Sequence, residues 1–222
     1  MIYKNLIVLE GLDGTGKFTQ FILLGKYMED KGITVMTYDF PQYDTIYGEL
    51  IGKYLRGDFG KLSELPIELP SLLYALDRYS IRNELMDHLK GGNLVLINRY
   101  IDSNAAYQGA KLKGKERTDY IEWIKDAESR MPEPGLVIFL DVPREYSTEL
   151  IKKKAPREYL KGKEQDIHEE SDSYQEQVRE VYCDLAKKEN WKIINCIENG
   201  ELLPKSEISG RIIKVVEEYL EN

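Results

Sequence analysis

The segment VLEGLDGTGKFTQ, residues 8–20, passes from an apolar run into a glycine-rich turn and then into a helix-like stretch. Gly11, Gly16 and Lys17 fill the spacing G-x-x-x-x-G-K, in which glycines let backbone N–H groups turn inward around a phosphate. The helix that follows such a turn adds its positive N-terminal end, and the lysine reaches the outer phosphate oxygens. Because a strand-like run precedes the turn, the segment predicts a phosphate-binding loop.

Phe18 stands where this pattern normally carries a serine or threonine hydroxyl that binds Mg²⁺. Its ring cannot ligate a metal, and Thr19 lies about 100° further around the helix, so it does not simply replace the hydroxyl. Mg²⁺ keeps several waters and often takes one or two protein ligands. We therefore predict that a nucleoside triphosphate still binds while placement of the metal suffers. The residues predicted to bind ATP are Gly11, Asp13, Gly14, Thr15, Gly16, Lys17, Phe18 and Thr19.

Composition and charge narrow the class of protein. The 222 residues are 42% hydrophobic and 32% charged, which suits one large domain with a solvated surface. A net charge of −8 and a pI near 5.1 argue against general affinity for nucleic acid. Cys183 and Cys196 lack a metal-binding spacing and are too few for a disulfide scaffold, so we expect reduced thiols in a cytoplasmic protein. Without a signal peptide or a long apolar run, no membrane partner is expected.

Apolar runs alternate with helical periods along the chain. Five runs rich in Val, Ile and Leu lack clean alternation, which is typical of parallel strands covered on both faces. They lie near Leu6, end at Phe40, Tyr100 and Val142, and begin at Trp191. Apolar residues recur at helical spacing over 17–32, 71–92, 171–190 and 206–220. The alternation predicts a doubly wound α/β fold, a parallel sheet of about five strands flanked by helices.

Unusual residues follow four of the predicted strands. Asp13 follows the first strand, Phe40 and Pro41 the second, Asn98 to Tyr100 the third and Asp141 the fourth. Ligands bind at the carboxyl ends of the strands in open sheets of this kind. We therefore expect these residues to converge on one site.

Four motifs follow one another along the chain: GLDGTGK at 11–17, FPQY at 40–43, YALDRYS at 74–80 and NRYIDSNAAYQ at 98–108. As a set they resemble the thymidylate kinases, and the likeness extends from the first strand to the C-terminal helix. FPQY together with DIHE at 166–169 is most similar to a bacterial branch. The resemblance implies a P-loop NTPase fold, phosphorylation of dTMP by ATP with Mg²⁺, a homodimer, and a cytoplasmic role in making DNA precursors.

The same resemblance implies roles around the acceptor nucleotide. Asp13 matches a carboxylate that contacts the 3′-hydroxyl of the sugar, and Arg99 matches an arginine that grips the acceptor phosphate. Tyr74 and Arg78 share one helix face and match a ring that stacks on thymine and a guanidinium that reaches a base oxygen. Pro41 matches the proline that shapes the monophosphate site. On spacing alone, the pair on the helix would also fit a core tyrosine beside a surface arginine.

A further motif, S-x-x-x-Y-Q, lines the base and sugar pocket in the family, and its aromatic ring excludes ribose. In this chain the motif is matched by Ser103, Tyr107 and Gln108. Many relatives place an arginine directly after the proline of FPxY, where this chain has glutamine. One phosphate contact is therefore in question, and Lys53 or Arg56 would have to replace it.

A basic segment falls where the family has a lid over ATP, here expected at about residues 152–169. Some relatives carry a basic residue inside the phosphate loop, whereas this chain has the neutral Thr15. We therefore expect the lid to supply the cation for the migrating phosphoryl group, with Arg157 as the first candidate. Lys17, Arg99 and Arg157 form the predicted catalytic set. A solvated surface is the alternative explanation of this charge.

Asn98 is, after Phe18, the second residue near the expected metal that differs from the family pattern, because the third strand of the family ends in Asp-Arg-Tyr. Asparagine keeps the shape of aspartate but loses its charge. Three interpretations stay open: the triphosphate itself holds most of the Mg²⁺, a carboxylate such as Glu10 or Asp141 has taken over, or the chain binds nucleotides with impaired catalysis. A kinase for another nucleoside monophosphate or deoxynucleoside is a further alternative.

Overall fold

A parallel sheet forms the centre of the molecule. The computed structural model describes residues 1–60, 64–152 and 172–221. Within these residues the main sheet has five parallel strands in the order β2-β3-β1-β4-β5. The strands are β1 (Ile2–Glu10), β2 (Val35–Asp39), β3 (Leu94–Asn98), β4 (Glu133–Asp141) and β5 (Lys192–Asn195). The predicted doubly wound sheet of about five strands is confirmed.

The central strand is buried on both faces. Leu6, Ile7, Val8 and Leu9 follow one another in β1, and each is 0% exposed. Leu6 and Val8 pack in one core cluster, whereas Ile7 and Leu9 pack in the other. An unbroken apolar run is required at such a position because successive side chains enter two different cores.

Helices cover both faces of the sheet. α1 and α9 pack around Leu24 and Ile212 on one face, and α4, α5 and α8 pack around Leu85 and Tyr182 on the other. A short hairpin, β6 (Ile197–Glu198) and β7 (Glu201–Leu202), follows β5. No helix in the described ranges has both the length and the apolar character that a membrane span needs. The helices are α1 (Lys17–Asp30), α2 (Ile46–Leu55), α3 (Glu68–Ser80), α4 (Arg82–Lys90), α5 (Ile101–Gly109), α6 (Gly114–Ala127), α7 (Arg144–Lys152), α8 (Asp172–Lys188) and α9 (Lys205–Glu221).

The prediction of one helix over 71–92 is wrong, because this segment forms two helices. α3 ends at Ser80 and α4 begins at Arg82, with Ile81 between them. The N–H of Ile81 donates to the carbonyl of Arg78, three residues earlier, which closes α3 with a tighter turn. The break lets α3 pack against α2 while α4 packs on the sheet.

The carboxyl ends of the strands meet at one edge of the sheet. β1 ends at Glu10, β2 at Asp39, β3 at Asn98 and β4 at Asp141. Asn98 is paired with Leu9 on one side and with Asp39 on the other. The convergence expected from the strand ends is therefore present, and every residue discussed below is placed relative to this edge.

Candidate active site

The turn between β1 and α1 forms a cradle of backbone groups. Gly11, Gly14 and Gly16 have φ values of 149°, 78° and 81°, which L side chains rarely adopt. A Cβ atom at Gly11 would lie 2.9 Å from the carbonyl oxygen of Leu140 on β4. The turn therefore needs glycine both for its backbone conformation and for its close approach to the next strand.

Two polar side chains close this loop from within. Thr15 is 3% exposed, and its Oγ1 donates to the carbonyl of Leu12 at 3.0 Å. Lys17 is 5% exposed, and its Nζ donates to the same carbonyl. Gly16 is the N-cap residue before α1, and among the described residues no side chain caps this helix and no acidic residue lies in its first turn. The first N–H groups of α1 are thus available to an anion in the cradle.

The side chain of Phe18 lies at the surface of α1. It is 52% exposed, and its ring centroid is 6.2 Å from that of Phe21. Thr19, the next residue, is half-buried. The predicted phosphate contact thus rests on the backbone of the loop, while Phe18 offers a metal no oxygen.

A cavity of about 520 Å³ lies beside the loop. This volume includes the part of the cleft that is open to solvent. Seven of the eight residues predicted to bind the acceptor line it: Asp13, Pro41, Tyr74, Arg78, Arg99, Ser103 and Tyr107. The other lining residues are Phe40, Tyr43, Leu55 and Asn104. Gln108, the eighth predicted residue, is buried behind this wall, where its Oε1 accepts from Nζ of Lys111 at 2.6 Å.

Asp13, Arg99 and Tyr107 form a hydrogen-bonded triangle on the wall of the cavity. Nη2 of Arg99 donates to Oδ1 of Asp13 at 2.7 Å, and the hydroxyl of Tyr107 donates to Oδ2 at 2.6 Å. The guanidinium also lies 5.2 Å from the centroid of the Tyr107 ring. Arg99 adopts φ of 65°, which is uncommon for a residue other than glycine. The triangle thus holds an arginine whose backbone conformation is itself unusual.

Neighbouring charges decide the protonation of this triangle. Burial by itself lowers the pKa of Arg99, but the Asp13 carboxylate and neighbouring tyrosines raise it well above its ordinary value. Burial raises the pKa of Tyr107, against the lowering influence of Arg99. Near neutral pH the cavity therefore presents a fixed guanidinium cation and a neutral hydroxyl.

Glu10 anchors the helix that carries much of the cavity wall. Its Oε1 accepts from the N–H groups of Tyr100 and Ser103, at 2.8 and 3.2 Å, at the start of α5. Its Oε2 accepts from Oγ of Ser103 at 2.6 Å and from the hydroxyl of Tyr182 at 2.9 Å. Glu10 is 0% exposed and already holds four hydrogen bonds, so this arrangement does not support its predicted role as a replacement metal ligand.

The residues predicted to read the base lie on α3, and Asn104 joins them from α5. Arg78 is 2% exposed and pairs inside the protein with Glu128. The ring of Tyr74 meets that of Tyr54 edge-on, with centroids 6.4 Å apart. Arg78 is therefore not the surface arginine that its spacing alone would also allow.

The loop after β2 forms another part of the wall. Asp77 on α3 accepts from the N–H of Gln42 at 3.0 Å and from Oγ1 of Thr45 at 3.3 Å. Oγ1 of Thr45 in turn accepts from the N–H of Gly48 at 3.0 Å and caps α2. These bonds attach the loop around Pro41 to α3, the helix that carries the residues predicted to read the base.

Comparison with known proteins assigns this site to a family. The family model described as thymidylate kinase matches residues 9–206, which contain both the phosphate loop and the cavity. The chain belongs to the thymidylate kinase family. The recognition made from the motifs is confirmed.

Individual thymidylate kinases match over most of their length. The probable thymidylate kinase of Thermococcus kodakarensis is 34% identical over 223 residues, covering 96% of this chain and 98% of that protein. The thymidylate kinase of Thermosipho africanus is 32% identical over 223 residues, covering 97% and 99%. A solved structure of thymidylate kinase from Candida albicans has a TM-score of 0.72 at 23% identity, covering 96% of this chain and 91% of that chain. This last likeness supports the fold.

The departure from the thymidylate kinase pattern at Asn98 has a charged neighbour. Nδ2 of Asn98 donates to Oδ1 of Asp39 at 2.6 Å, across the pair β2 and β3. Asn98 is 5% exposed, and within the described residues its Oδ1 has no hydrogen-bond partner. Asp39 is exposed. The carboxylate of Asp39 therefore lies next to the position where thymidylate kinases carry aspartate. Asp39 lies outside the motifs from which the site was predicted.

Asp141, the other predicted replacement ligand, is engaged elsewhere. Nε and Nη2 of Arg179 on α8 donate to its two carboxylate oxygens at 2.9 and 3.1 Å. This paired arrangement does not support Asp141 as a metal ligand. In the part of the chain that the structure describes, no group of three His, Cys, Asp or Glu side chains is placed to hold a metal ion.

The remaining predicted contacts fall outside the cavity or outside the described residues. Arg56 pairs with Asp58 at 2.8 Å and Lys53 with Glu49 at 3.5 Å, and neither basic residue lines the cavity. Their role as replacements for the missing phosphate contact therefore stays a prediction. Arg157 and most of the predicted lid, residues 153–169, lie outside the described residues.

Proposed function

We propose that this chain transfers the γ-phosphoryl group of ATP to dTMP, giving dTDP and ADP. The observation that carries the proposal is the position of Asp13, which belongs to the phosphate loop and also lines the cavity, where it holds Arg99. A loop suited to the phosphates of a donor thus adjoins an arginine suited to the phosphate of an acceptor. Phosphoryl transfer needs these two groups held face to face.

In the proposed reaction the protein supplies alignment and positive charge. An oxygen of the dTMP phosphate is already anionic at neutral pH, so it attacks the γ-phosphorus without a general base. Arg99 holds this acceptor phosphate, while Lys17 and the first N–H groups of α1 hold the phosphates of ATP. Arg157 of the lid is proposed to neutralise charge on the group in transit, a contribution of about 10³–10⁵ in rate for such an arginine.

The nucleoside end of dTMP fits the remaining wall. The ring of Tyr74 offers a stacking surface for the base, and Arg78 offers N–H donors to a base oxygen. Asp13 accepts the 3′-hydroxyl of the sugar in this proposal. The hydroxyl of Tyr107 donates to Asp13 at 2.6 Å, and in this proposal its ring crowds the 2′ position of a ribose.

Mg²⁺ is the cofactor that we propose for the triphosphate, and it supplies neutralisation of the phosphate charge. Oδ1 of Asn98, which has no hydrogen-bond partner among the described residues, and the carboxylate of Asp39 fit an ion held mainly by the triphosphate and its waters. Asn98 and Asp39 would orient this water shell, and Asp39 would restore the charge that Asn98 lacks. This assignment replaces the earlier candidates Glu10 and Asp141.

A homodimer is the assembly that we propose. Leu69, Leu72 and Leu76 on α3 are 38%, 46% and 44% exposed. Their spacing of three and four residues places them on one face of the helix. Tyr74 and Arg78 line the cavity from the same helix, so a second copy packed on the leucines would brace the substrate site.

The place in the cell is proposed from the role of the family in supplying DNA precursors. Cys183 and Cys196 are free thiols in the structure. Free thiols are usual in a reducing compartment. We place the protein in the cytoplasm on these grounds.

A coupled assay of ADP formation tests the proposed reaction. With ATP and Mg²⁺ we expect turnover that depends on dTMP, which should be the best acceptor in a panel with dUMP, dGMP and thymidine. Arg99→Lys should lower kcat/KM for dTMP by about 10²–10³, because an ammonium group does not replace the forked guanidinium. Arg130→Lys, at an exposed arginine away from the cavity, is the matched control. Binding of ATP and dTMP without dTDP at any Mg²⁺ or Mn²⁺ concentration would identify a non-catalytic homologue instead.

A further inference from the structure

One buried carboxylate contacts two of the side chains that line the cavity. Glu128 is 1% exposed and lies at the C-terminal end of α6. Its two oxygens accept from Nε and Nη2 of Arg78, both at 2.5 Å, and its Oε1 also accepts from Nδ2 of Asn104 at 3.2 Å. Arg78 and Asn104 line the cavity, whereas Glu128 stands behind them. Glu128 therefore acts on the cavity through these two side chains.

The surroundings of Asn104 decide the orientation of its amide. An amide can turn by about 180° with little change of shape, so the hydrogen bonds around it select the orientation. Nδ2 faces two acceptors that have no proton to give, the carbonyl of Ser71 at 3.1 Å and the carboxylate of Glu128. A turned amide would set oxygen against oxygen at both places. Oδ1 therefore faces away from them, and it has no hydrogen-bond partner in the described ranges.

The pairing of Arg78 with Glu128 is side-on. Nε and Nη2 face the carboxylate, which leaves Nη1 on the opposite edge of the guanidinium. Burial by itself lowers the pKa of Arg78, but the Glu128 carboxylate raises it above its ordinary value, so the side chain stays a cation. Two groups beside the cavity are thus not used in the contacts with Glu128: Nη1 of Arg78, which is a donor, and the buried Oδ1 of Asn104, which is an acceptor.

We propose that Glu128 is a positioning residue that sets this pattern of donor and acceptor and thereby selects an imide base. Thymine and uracil carry an N3–H beside a carbonyl oxygen, which match an acceptor and a donor. Cytosine carries an unprotonated N3 beside an amino group, so each of its groups would meet a like partner. This inference rests on the proposed function, because it names the feature of the same site that decides the class of base.

Glu128→Gln tests the assignment. A glutamine amide can accept from Nδ2 of Asn104 or, if the amide of Asn104 turns, donate to its Oδ1, so Asn104 no longer has a reason to keep one orientation. The substitution also removes the negative charge that pairs with Arg78. We expect the ratio of kcat/KM for dTMP over dCMP to fall by at least about tenfold, with KM for ATP unchanged. Measuring both acceptors on one preparation cancels any loss of folded protein. Asp126→Asn, at an exposed residue in the same turn, should leave the ratio as it is in the parent.

A second variant guards against failure to fold, since breaking a buried ion pair is strongly destabilising. Glu128→Asp keeps the charge but shortens the side chain by one methylene, and the ratio should fall by a smaller factor. A folded Gln or Asp variant with the ratio of the parent would overturn the proposal. An equal loss for both acceptors would also overturn it, because purely structural support predicts that result. If the parent forms no dTDP, the proposed function fails, and the equilibrium affinities of parent and variants for dTMP and dCMP still decide the role of Glu128.

Discussion

At the scale of single residues, Asn98 and Asp39 show a carboxylate on β2 beside the position on β3 where an aspartate is expected. Asn98 keeps the shape of the aspartate expected at this position, and its Nδ2 holds the carboxylate of Asp39 at 2.6 Å. Groups that orient the ligands or waters of a metal affect its affinity without touching it. In the proposed function, the pair therefore replaces one aspartate in orienting the waters of the metal.

Asp39→Asn should raise the Mg²⁺ concentration for half-maximal activity by about 10–100-fold, because it removes the remaining charge beside the triphosphate. The affinity of the ATP complex for Mn²⁺, measured by electron paramagnetic resonance, should fall by a similar factor. Asp30→Asn makes the same change at the exposed end of α1 and serves as the control. Adding Asn98→Asp to the variant returns a carboxylate to β3 and should restore both values. An unchanged Mg²⁺ dependence would mean that the triphosphate alone holds the ion.

At the scale of elements, Gly48 controls how closely α2 approaches the loop around Pro41. A Cβ atom at this position would lie 1.8 Å from the carbonyl oxygen of Gln42 and 2.7 Å from Cα of Tyr43. Backbone atoms cannot withdraw as the end of a flexible side chain can. A methyl group here must therefore shift the loop that forms part of the cavity wall.

Gly48→Ala is expected to lower the free energy of unfolding by about 1–3 kcal/mol, the usual cost of overpacking, and to raise KM for dTMP. Thermal or urea unfolding and steady-state kinetics measure the two effects. Gly210→Ala in α9, where a Cβ would meet nothing within 4 Å, should instead stabilise the protein by up to about 1 kcal/mol. Equal effects of the two substitutions would contradict the close approach at Gly48.

A buried ion pair links α5, α6 and the end of α8. Asp102 is 7% exposed, Nζ of Lys125 lies 3.1 Å from its Oδ1, and Lys125 also pairs with Glu189. Burial raises the pKa of Asp102 from its ordinary value of 3.8 to about 7. The charge of Lys125 lowers this pKa and that of Glu189 raises it, and both effects are smaller than that of burial. Between these pH values the folded chain keeps a proton that the unfolded chain has released. Asp102 therefore makes the free energy of unfolding fall as the pH rises from about 4 to 7.

The side chain in Asp102→Asn does not titrate. The free energy of unfolding of this variant should therefore rise relative to that of the parent as the pH rises through this range. The gain is limited to about 1.4 kcal/mol for each pKa unit of the shift. Urea unfolding of both proteins at several pH values between about 4.5 and 7.5 gives the difference. Asp119→Asn, at an exposed residue of α6, is the control and should run parallel to the parent. A parallel curve for Asp102→Asn would refute the shifted pKa.

At the scale of the whole molecule, the leucine face of α3 decides the proposed assembly. Leu72→Glu combined with Leu76→Glu should convert a dimer into single chains of 25.8 kDa, because each copy would bury two like charges. Sedimentation equilibrium measures the mass, and KM for dTMP should rise because α3 also carries Arg78. Ile22→Glu, at a 49% exposed residue of α1, controls for the added charge. A parent that sediments as a single chain would show the homodimer proposal to be wrong.

Elements with one exposed and one buried side were the easiest to predict. The periods in α1 and α9 appear as helices close to their expected limits, since half of each helix faces solvent. α5 was missed because polar residues such as Asp102 and Asn104 occupy buried positions in it, which hides the apolar period of the helix. The helices α2, α6 and α7 were missed as well. The segment 71–92 was predicted as one helix because its apolar spacing continues across the break at Ile81.

The sequence by itself determined the parallel sheet, the predicted phosphate loop and most of the cavity lining. Apolar runs and motif spacings report local structure, and the lining residues Asp13, Tyr74 and Arg99 lie within such motifs. Only the tertiary structure decided which buried carboxylates hold the side chains of the cavity wall in place. Glu10 holds Ser103 across 93 positions, and Glu128 holds Arg78 across 50. Neither carboxylate lies in a pattern that spacing could reveal, since the partner of a buried charge is chosen by packing between distant elements. The framework of the site is thus local in origin, while its polarity and fixed geometry come from contacts between distant parts of the chain.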